Sequence, residues 1–208
     1  MGPRSQAQPR GRAEPVEAEM PLGRYLASTE KRVRDRAIRS LAAFVLMRAQ
    51  EGGLSMSPAE LSKLWKGLFY CFWMSDKPLV QQQLAQELSE LVLMVAGIDT
   101  RSDEAQVASL RHALAALDFY QGFWHTMQAE WLGVDKFRID KYYLLMRRFL
   151  QAGCQLLLVY GCDALLVERY VHIMRGTDGP LSSNNVHVPD SITYHICDAF
   201  LAELDAAV

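Results

Sequence analysis

Apolar side chains recur at intervals of three and four residues along most of this chain, and this periodicity constrains the fold more than any other sequence feature. Between Glu30 and Gln50 the pattern runs through Val33, Ala37, Leu41, Phe44 and Val45. Such spacing places the apolar groups on one face of an amphipathic α-helix. No segment shows the strict alternation and the turn residues of a β-hairpin. The chain is therefore predicted to be all-α.

Start and stop signals divide the periodic pattern into about seven to eight helices. Ser57-Pro58-Ala59-Glu60 combines a capping serine, a first-turn proline and the glutamate of a capping box. Pro78 and Pro189 each open a further helix, and Gly161-Cys162-Asp163 ends a long one. Other predicted boundaries are Glu51-Gly52-Gly53, Thr100 to Asp103 and Gly133 to Asp135, with a bend or join near Asp118 to Gly122.

Helix pairs are expected to begin near residues 30, 78 and 136. The resulting repeat of roughly 50–60 residues is somewhat longer than the ~40–47 residues of HEAT-type repeats. A weak internal sequence similarity relates Trp65…Asp76-Lys77 to Trp124…Asp135-Lys136, which supports a repeat. The predicted architecture is an irregular HEAT-like α-solenoid, or a helical bundle, of antiparallel helices. It is assigned to residues 22–208, whereas residues 1–21, which are rich in Pro, Gly, Arg and Glu, are predicted to be a disordered tail.

The overall composition is that of a globular domain. Half of the 208 residues are hydrophobic and the net charge is −2, so wholesale disorder is excluded. The longest apolar runs, Leu91 to Ala96 and Leu156 to Tyr160, are too short to cross a bilayer, and no membrane partner is expected. The cysteines are widely spaced and are predicted to be reduced, buried thiols of an intracellular protein: Cys71, Cys154, Cys162 and Cys197.

A search for catalytic motifs is negative. The five histidines form no HExxH motif, and no phosphate-binding glycine loop or GxSxG elbow occurs. Asp135 and Asp140 lie close together in sequence at a helix start. Capping and ion pairing with Lys136 or Lys141 explain these carboxylates better than acid–base catalysis. We therefore expect no enzyme activity, no metal, no cofactor and no small-molecule substrate.

Two clusters of aromatic residues stand out. They comprise Trp65, Phe69, Tyr70, Phe72 and Trp73, and then Phe119, Tyr120, Phe123, Trp124 and Trp131. Aromatic rings can stack on the bases of single-stranded RNA. Their helical spacing, with few intervening charges, instead favours a role as the core between stacked helices.

Positive charge is concentrated on two predicted helices. On the first, Arg32, Arg36 and Arg39 share a face roughly opposite the apolar stripe, and the second spans Lys136 to Arg148. Either surface can meet RNA phosphates, an acidic groove on a partner protein, or only solvent. The candidate contact residues are Arg32, Arg36, Arg39, Arg138, Lys141 and Arg148.

Several long strings of this sequence are similar to one known family. The segment LWKGLFYCFWMSDKP, residues 64–78, closely resembles the signature of the ribosomal RNA-processing protein 1 family, nucleolar proteins of eukaryotes. FWHTM at 123–127, EWLGVDK at 130–136 and RIDKYYLLMR at 138–147 continue the match. RDRAIR at 34–39 and FLAEL at 200–204 also fit, so the resemblance covers about residues 22–206.

The resemblance implies a HEAT-like helical domain without catalytic activity, located in the nucleus and nucleolus. It would act as a scaffold in rRNA processing and large-subunit assembly, with pre-ribosomal proteins and pre-rRNA as partners. Eight motif residues would have structural roles: Trp65, Gly67, Trp73, Asp76, Pro78, Trp124, Trp131 and Asp140. The alternative function is a general α-solenoid adaptor between proteins, with no RNA role.

Two departures from the family pattern are expected to matter. Relatives continue with further helices and a basic tail, so this domain is predicted to be shortened at its C-terminal end. The stretch from Ile98 to Ala108 is predicted to be an insertion.

Overall fold

A computed structural model describes residues 25–26, 28–50, 56–98 and 109–208 of the chain. These residues form seven α-helices and one turn of 3-10 helix, with no strand among them, which confirms the all-α prediction. The helices are α1 (Lys31–Gln50), α2 (Pro58–Trp73), α3 (Pro78–Val95), α4 (Leu110–Glu130), α5 (Ile139–Val159), α6 (Ala164–Arg175) and α7 (Asp190–Asp205). The 3-10 turn is Trp131–Gly133. The predicted tail, the predicted helix end at Glu51-Gly52-Gly53 and the predicted cap at Thr100 to Asp103 lie outside the described residues.

The helices are arranged in two layers. One layer contains α1, α3, α5 and α7, each packed against the next, and the other contains α2, α4 and α6 in the same manner. Contacts of α3 with α2 and α4, and of α5 with α4 and α6, join the layers. Each step along the chain therefore alternates between layers. This is the arrangement of an α-solenoid, in which every repeat contacts only its neighbours.

Local signals set most of the helix ends. The Ser57 hydroxyl accepts a hydrogen bond from the Glu60 amide at 3.3 Å, and the Glu60 carboxylate accepts one from the Ser57 amide at 2.8 Å, which forms the predicted capping box. The Asp163 carboxylate accepts from the Leu165 amide at 2.9 Å and starts α6. Gly161 and Cys162 have φ angles of 62° and 54°, a left-handed conformation that ends α5.

The predicted join near Asp118 to Gly122 is absent, because α4 runs uninterrupted from Leu110 to Glu130. Gly122 serves a packing role instead of breaking the helix. A Cβ atom at this position would lie 2.4 Å from Cδ1 of Trp65 on α2. The missing side chain therefore lets the Trp65 indole lie directly against the α4 backbone.

Aromatic side chains from both layers form the centre of the core. The rings of Phe123 on α4 and Phe149 on α5 stack with their centroids 3.7 Å apart. The Trp65 indole lies 4.6 Å from the Phe119 ring and donates a hydrogen bond from Nε1 to the Phe119 carbonyl oxygen at 2.9 Å. Because Trp65, Phe119 and Phe123 are buried, the interpretation of these aromatics as core holds, and they are not available for base stacking.

Phe44, which the periodicity of α1 places inward, is exposed, and so are Leu79 and Leu201, which continue the apolar spacing of α3 and α7. Among the described helices, α1 and α7 each pack against a single neighbour of their own layer. This leaves the outer side of Leu201 open, and Leu79 lies in the first turn of α3 at a corner. The four cysteines are free thiols, but Cys162 and Cys197 are exposed, so the prediction of burial is correct for Cys71 and Cys154 only.

Candidate functional site

The exposed side of α1 carries three arginines, Arg32, Arg36 and Arg39, which together are called the α1 basic face here. Ala37 and Leu41 on the opposite side are buried against the rest of the solenoid. Among the described residues, none of these three guanidinium groups forms a hydrogen bond or an ion pair. They are therefore free to bind an anionic group outside the molecule.

Arg34 belongs to the same basic stretch but lies on the inner side of α1 with only 7% of its surface exposed. Its Nη1 donates hydrogen bonds to the carbonyl oxygens of Ser28 at 2.9 Å and Thr29 at 3.0 Å. Its Nη2 donates to the carbonyl oxygen of Met74 at 3.2 Å. Arg34 thus joins the start of α1 to the end of α2, and it is not part of the α1 basic face.

Lys141 was predicted as a contact residue, but the structure buries it with 6% exposed. Its ammonium group donates to the carbonyl oxygens of Trp73 and Ser75, both at 2.7 Å. Burial lowers the pKa of Lys141 to about 8, with the nearby Arg138 charge acting in the same direction. This position removes Lys141 from the candidate interface, because it cannot reach a ligand outside the molecule without leaving the core.

The carboxyl end of α2 is therefore a meeting point for donors from three other helices. Arg34 comes from α1 and Lys141 from α5, and Gln81 of α3 donates from Nε2 to the Ser75 carbonyl oxygen at 3.0 Å. The last carbonyl groups of a helix have no partner within that helix and carry partial negative charge. This group of donors supplies the missing partners, and we call it the α2 end cluster.

Sequence reasoning missed the α2 end cluster, although a signal for it was present. Helix α2 ends at Trp73 without the C-terminal glycine turn in which many helices satisfy their last carbonyls. Lys141 is followed by the buried Tyr142 and lies four residues before the buried Leu145, at positions where a helix faces the core. A cation on an apolar face indicates a buried polar partner.

The other two predicted contact residues of the second basic stretch are partly engaged within the molecule. Arg138 forms an ion pair with Asp135, and its guanidinium lies 4.6 Å from the ring centroid of Trp73. Nη1 of the half-buried Arg148 donates to Oε1 of Gln151 at 3.0 Å. The predicted pairing of Asp135 with Lys136 or Lys141 is thus replaced by a pair with Arg138. Both arginines are less available to a ligand than the α1 basic face.

The family-motif residues divide into a buried and an exposed group. Trp65, Gly67, Trp124 and Trp131 are buried, and Trp73 is half-buried. The exposed residues are Asp76 and Pro78 at the corner between α2 and α3, and Asp140 in the first turn of α5.

Contacts between elements suggest what several motif residues do. Trp131 donates from Nε1 to the Ser191 hydroxyl at 2.8 Å, which ties the corner after α4 to α7. Pro78 is the first residue of α3, a position where its missing amide hydrogen costs nothing. These contacts support structural roles for Trp131 and Pro78.

A groove of about 660 Å³ lies between α2 and α4. Its cations are already paired: Lys66 binds Glu130 at 2.8 Å and Arg169 binds Asp118 at 2.8 Å. His125 also lines the groove, and burial lowers its pKa. The groove therefore offers no unpaired cation to an anionic ligand.

The described part of the chain shows no grouping of three or more His, Cys, Asp or Glu side chains that could hold a metal ion. Likewise, none of its helices is both long enough and apolar enough to cross a membrane.

The fold and the α1 basic face define a class of protein: a two-layer α-solenoid with exposed arginines on one helix. Comparison with known families identifies the family within this class. The family model described as nucleolar protein, Nop52, matches residues 17–208, and the chain belongs to this family. The resemblance seen in the sequence motifs is thereby confirmed.

Curated relatives extend the comparison. The chain is 35% identical to ribosomal RNA processing protein 1 homolog A of Homo sapiens over 186 residues, which cover 89% of this chain and 36% of the relative. It is 37% identical to ribosomal RNA processing protein 1 homolog B of Mus musculus over 188 residues, which cover 90% of this chain and 23% of the relative. The chain is 29% identical to the ribosomal RNA processing protein 1 homolog of Drosophila melanogaster over 195 residues, which cover 92% of this chain and 25% of the relative. The chain thus spans between 23% and 36% of the length of these relatives.

Proposed function

We propose that this chain is a non-catalytic helical scaffold that takes part in rRNA processing and assembly of the large ribosomal subunit in the nucleolus. The observation that carries the proposal is the family match over residues 17–208, together with relatives named for ribosomal RNA processing. The two-layer solenoid suits this role, since stacked helix pairs present extended surfaces to several partners. Its partners in this proposal are pre-ribosomal proteins and pre-rRNA.

In this proposal the α1 basic face is the surface that meets the pre-ribosomal particle. Its three arginines are exposed and have no partner among the described residues, whereas Arg34 and Lys141 are buried and engaged. Guanidinium groups bind phosphate oxygens through charge-assisted hydrogen bonds. Contacts of this kind position a protein on RNA without reading its sequence, and they weaken as salt increases.

Reversing the charge of this face tests the proposal. We expect R32E/R36E/R39E to keep its helix content but to lose co-sedimentation with pre-ribosomal particles. For the purified chain on single-stranded RNA, the slope of log affinity against log salt should become shallower by about 2, since roughly 0.7 counterion is released per phosphate contact.

The matched control is K63E/K77E/R175E, which changes the net charge equally at three exposed positions away from α1. It should retain both co-sedimentation and the salt slope. Unchanged co-sedimentation of the α1 variant would contradict the assignment of this face. Normal particle association without any rRNA crosslink in cells would favour the alternative, a protein adaptor without an RNA role.

A further inference from the structure

A groove of about 320 Å³ runs between α1 and α3, and the proposed function gives it no role. All of its lining residues belong to these two helices, which are neighbours in one layer of the solenoid. Both walls of the groove are therefore formed by described helices. The volume lies within the range of ~300–1,000 Å³ that is usual for small-molecule sites.

The base of the groove is apolar. Ile38 of α1 and Leu84 and Leu91 of α3 line the groove and are themselves buried. The partly buried Ala42 and Met94 extend this apolar surface. A flat apolar group such as a planar ring can cover these side chains and remove them from water. Polar groups at the rim would then fix the orientation of the ring.

The α1 wall of the groove carries a free cation. Arg39 lines the groove and also belongs to the α1 basic face, and its guanidinium forms no hydrogen bond or ion pair with a described residue. Lys31, the other cation of this wall, is paired with Asp35 at 2.6 Å. Arg39 thus connects the groove to the surface at which phosphates are expected.

The α3 wall carries free acceptors. Glu87 and Glu90 line the groove one helical turn apart, and neither forms an ion pair with a described residue. Oε1 of Glu87 accepts a hydrogen bond from Nε2 of Gln83 at 2.8 Å. Oε1 of Glu90 accepts one from Nε2 of Gln86 at 2.9 Å. An ionised carboxylate accepts several hydrogen bonds, so both can still bind donor groups of a ligand.

The opposite charges of the two walls select the class of ligand. An acidic peptide would be repelled by Glu87 and Glu90, and a basic peptide would be repelled by Arg39 and the rest of the α1 basic face. A nucleotide has an anionic phosphate at one end and the donor groups of its base at the other, and therefore suits both walls. We propose that the groove binds an unpaired guanine base of single-stranded RNA while the α1 basic face binds the adjoining phosphates.

Guanine is the base that matches the α3 wall. Its Watson–Crick edge has two adjacent donors, the N1–H and 2-amino groups, which can both reach one carboxylate. Adenine and cytosine have one donor group beside an acceptor, and uracil has a single N–H between two carbonyl oxygens. This inference rests on the proposed function, because it concerns the same RNA. It adds a base preference, which phosphate contacts alone do not provide.

Fluorescence anisotropy with labelled RNAs of about eight nucleotides tests the proposal on the full 208-residue chain. One RNA contains only uridine, the second has a guanosine at one central position, and the third has inosine at that position. We expect the guanosine RNA to bind at least about fivefold more tightly than the uridine RNA, the lower end of the discrimination given by a good bidentate base contact. Inosine lacks the 2-amino group, so its RNA should have an intermediate affinity.

The acceptors of the groove are tested by E87Q/E90Q. This variant should bind the guanosine and uridine RNAs with affinities within about twofold of each other, because each amide replaces one acceptor oxygen with a donor group. The matched control is E168Q/D198N, which makes the same change in net charge at two exposed carboxylates outside the groove. The control should keep the preference for guanosine, and circular dichroism should show the same helix content in both variants.

Two results would overturn the proposal. The first is equal affinity of the unmodified chain for the three RNAs, and the second is an equal loss of preference in E87Q/E90Q and E168Q/D198N. In both cases, salt-dependent binding of the uridine RNA that R32E/R36E/R39E loses would leave the proposed function intact. Absence of binding to all three RNAs would instead contradict both the base site and the role of the α1 basic face.

Discussion

Replacing Trp65 with alanine is expected to lower the free energy of unfolding by about 3–5 kcal/mol, the range found when large aromatic residues are removed from protein cores. The Trp65 indole contacts Phe119, Phe123 and Phe149, and thus joins α2 to α4 and α5. The alanine variant also lacks the hydrogen bond that the indole Nε1 donates to the Phe119 carbonyl oxygen. Because small domains have only ~5–15 kcal/mol of stability, a loss of this size would leave much of the chain unfolded on warming.

Chemical denaturation followed by circular dichroism measures this effect. The matched control is Phe137→Ala, because Phe137 is also aromatic but is 83% exposed in the corner before α5. We expect this control to change the free energy of unfolding by less than about 0.5 kcal/mol, as is usual for surface substitutions. Equal destabilisation by the two variants would contradict the placement of Trp65 at the junction of the layers.

The second large effect is expected at Lys141. Lys141→Met keeps the length and the apolar stem of the side chain but removes the ammonium that binds the Trp73 and Ser75 carbonyl oxygens. Hydrogen bonds from a charged group contribute roughly 1.5–3 kcal/mol each, and an acceptor left unpaired carries a further cost. Since Gln81 still binds Ser75 in the variant, we expect a loss of about 2–4 kcal/mol in total.

Lys63→Met is the control for Lys141, because Lys63 is exposed on α2. A double-mutant cycle with Arg34→Met then tests whether the α2 end cluster acts as a unit. Both cations bind carbonyls at the end of α2, so their effects should be non-additive, with a coupling of about 0.5 kcal/mol or more. Additive effects would show that the two cations stabilise the fold independently.

These two positions also show how far the sequence could be interpreted alone. Trp65 was predicted as core because its neighbours repeat at helical spacing, and spacing is a local property of the chain. Lys141 was predicted as a contact residue because it belongs to a basic stretch on one predicted helix, where a surface for phosphates was expected. Its true partners, Trp73 and Ser75, lie 68 and 66 positions away in the sequence. No local pattern specifies a contact over that separation.

The predicted contact residues differ in their environments for the same reason. Arg32, Arg36 and Arg39 share one side of a helix, and the structure leaves that side exposed. Arg138 and Arg148 belong to the second basic stretch, but the closeness of Arg138 to Trp73 of α2 depends on how the start of α5 packs. The exposure of Leu201 could not be predicted either, because this residue fits the apolar spacing of α7 and its environment is set by the packing of neighbouring helices.

The sequence by itself determined the helical class, most helix boundaries and the family, because caps, prolines and periodicity act over a few residues and the motif strings are long. Only the tertiary structure decided which cations are buried at the end of α2 and which side of α1 is exposed among the described residues. That difference is physical: a helix specifies one apolar side through its own residues, whereas the environment of every other side is set by the helices that pack beside it.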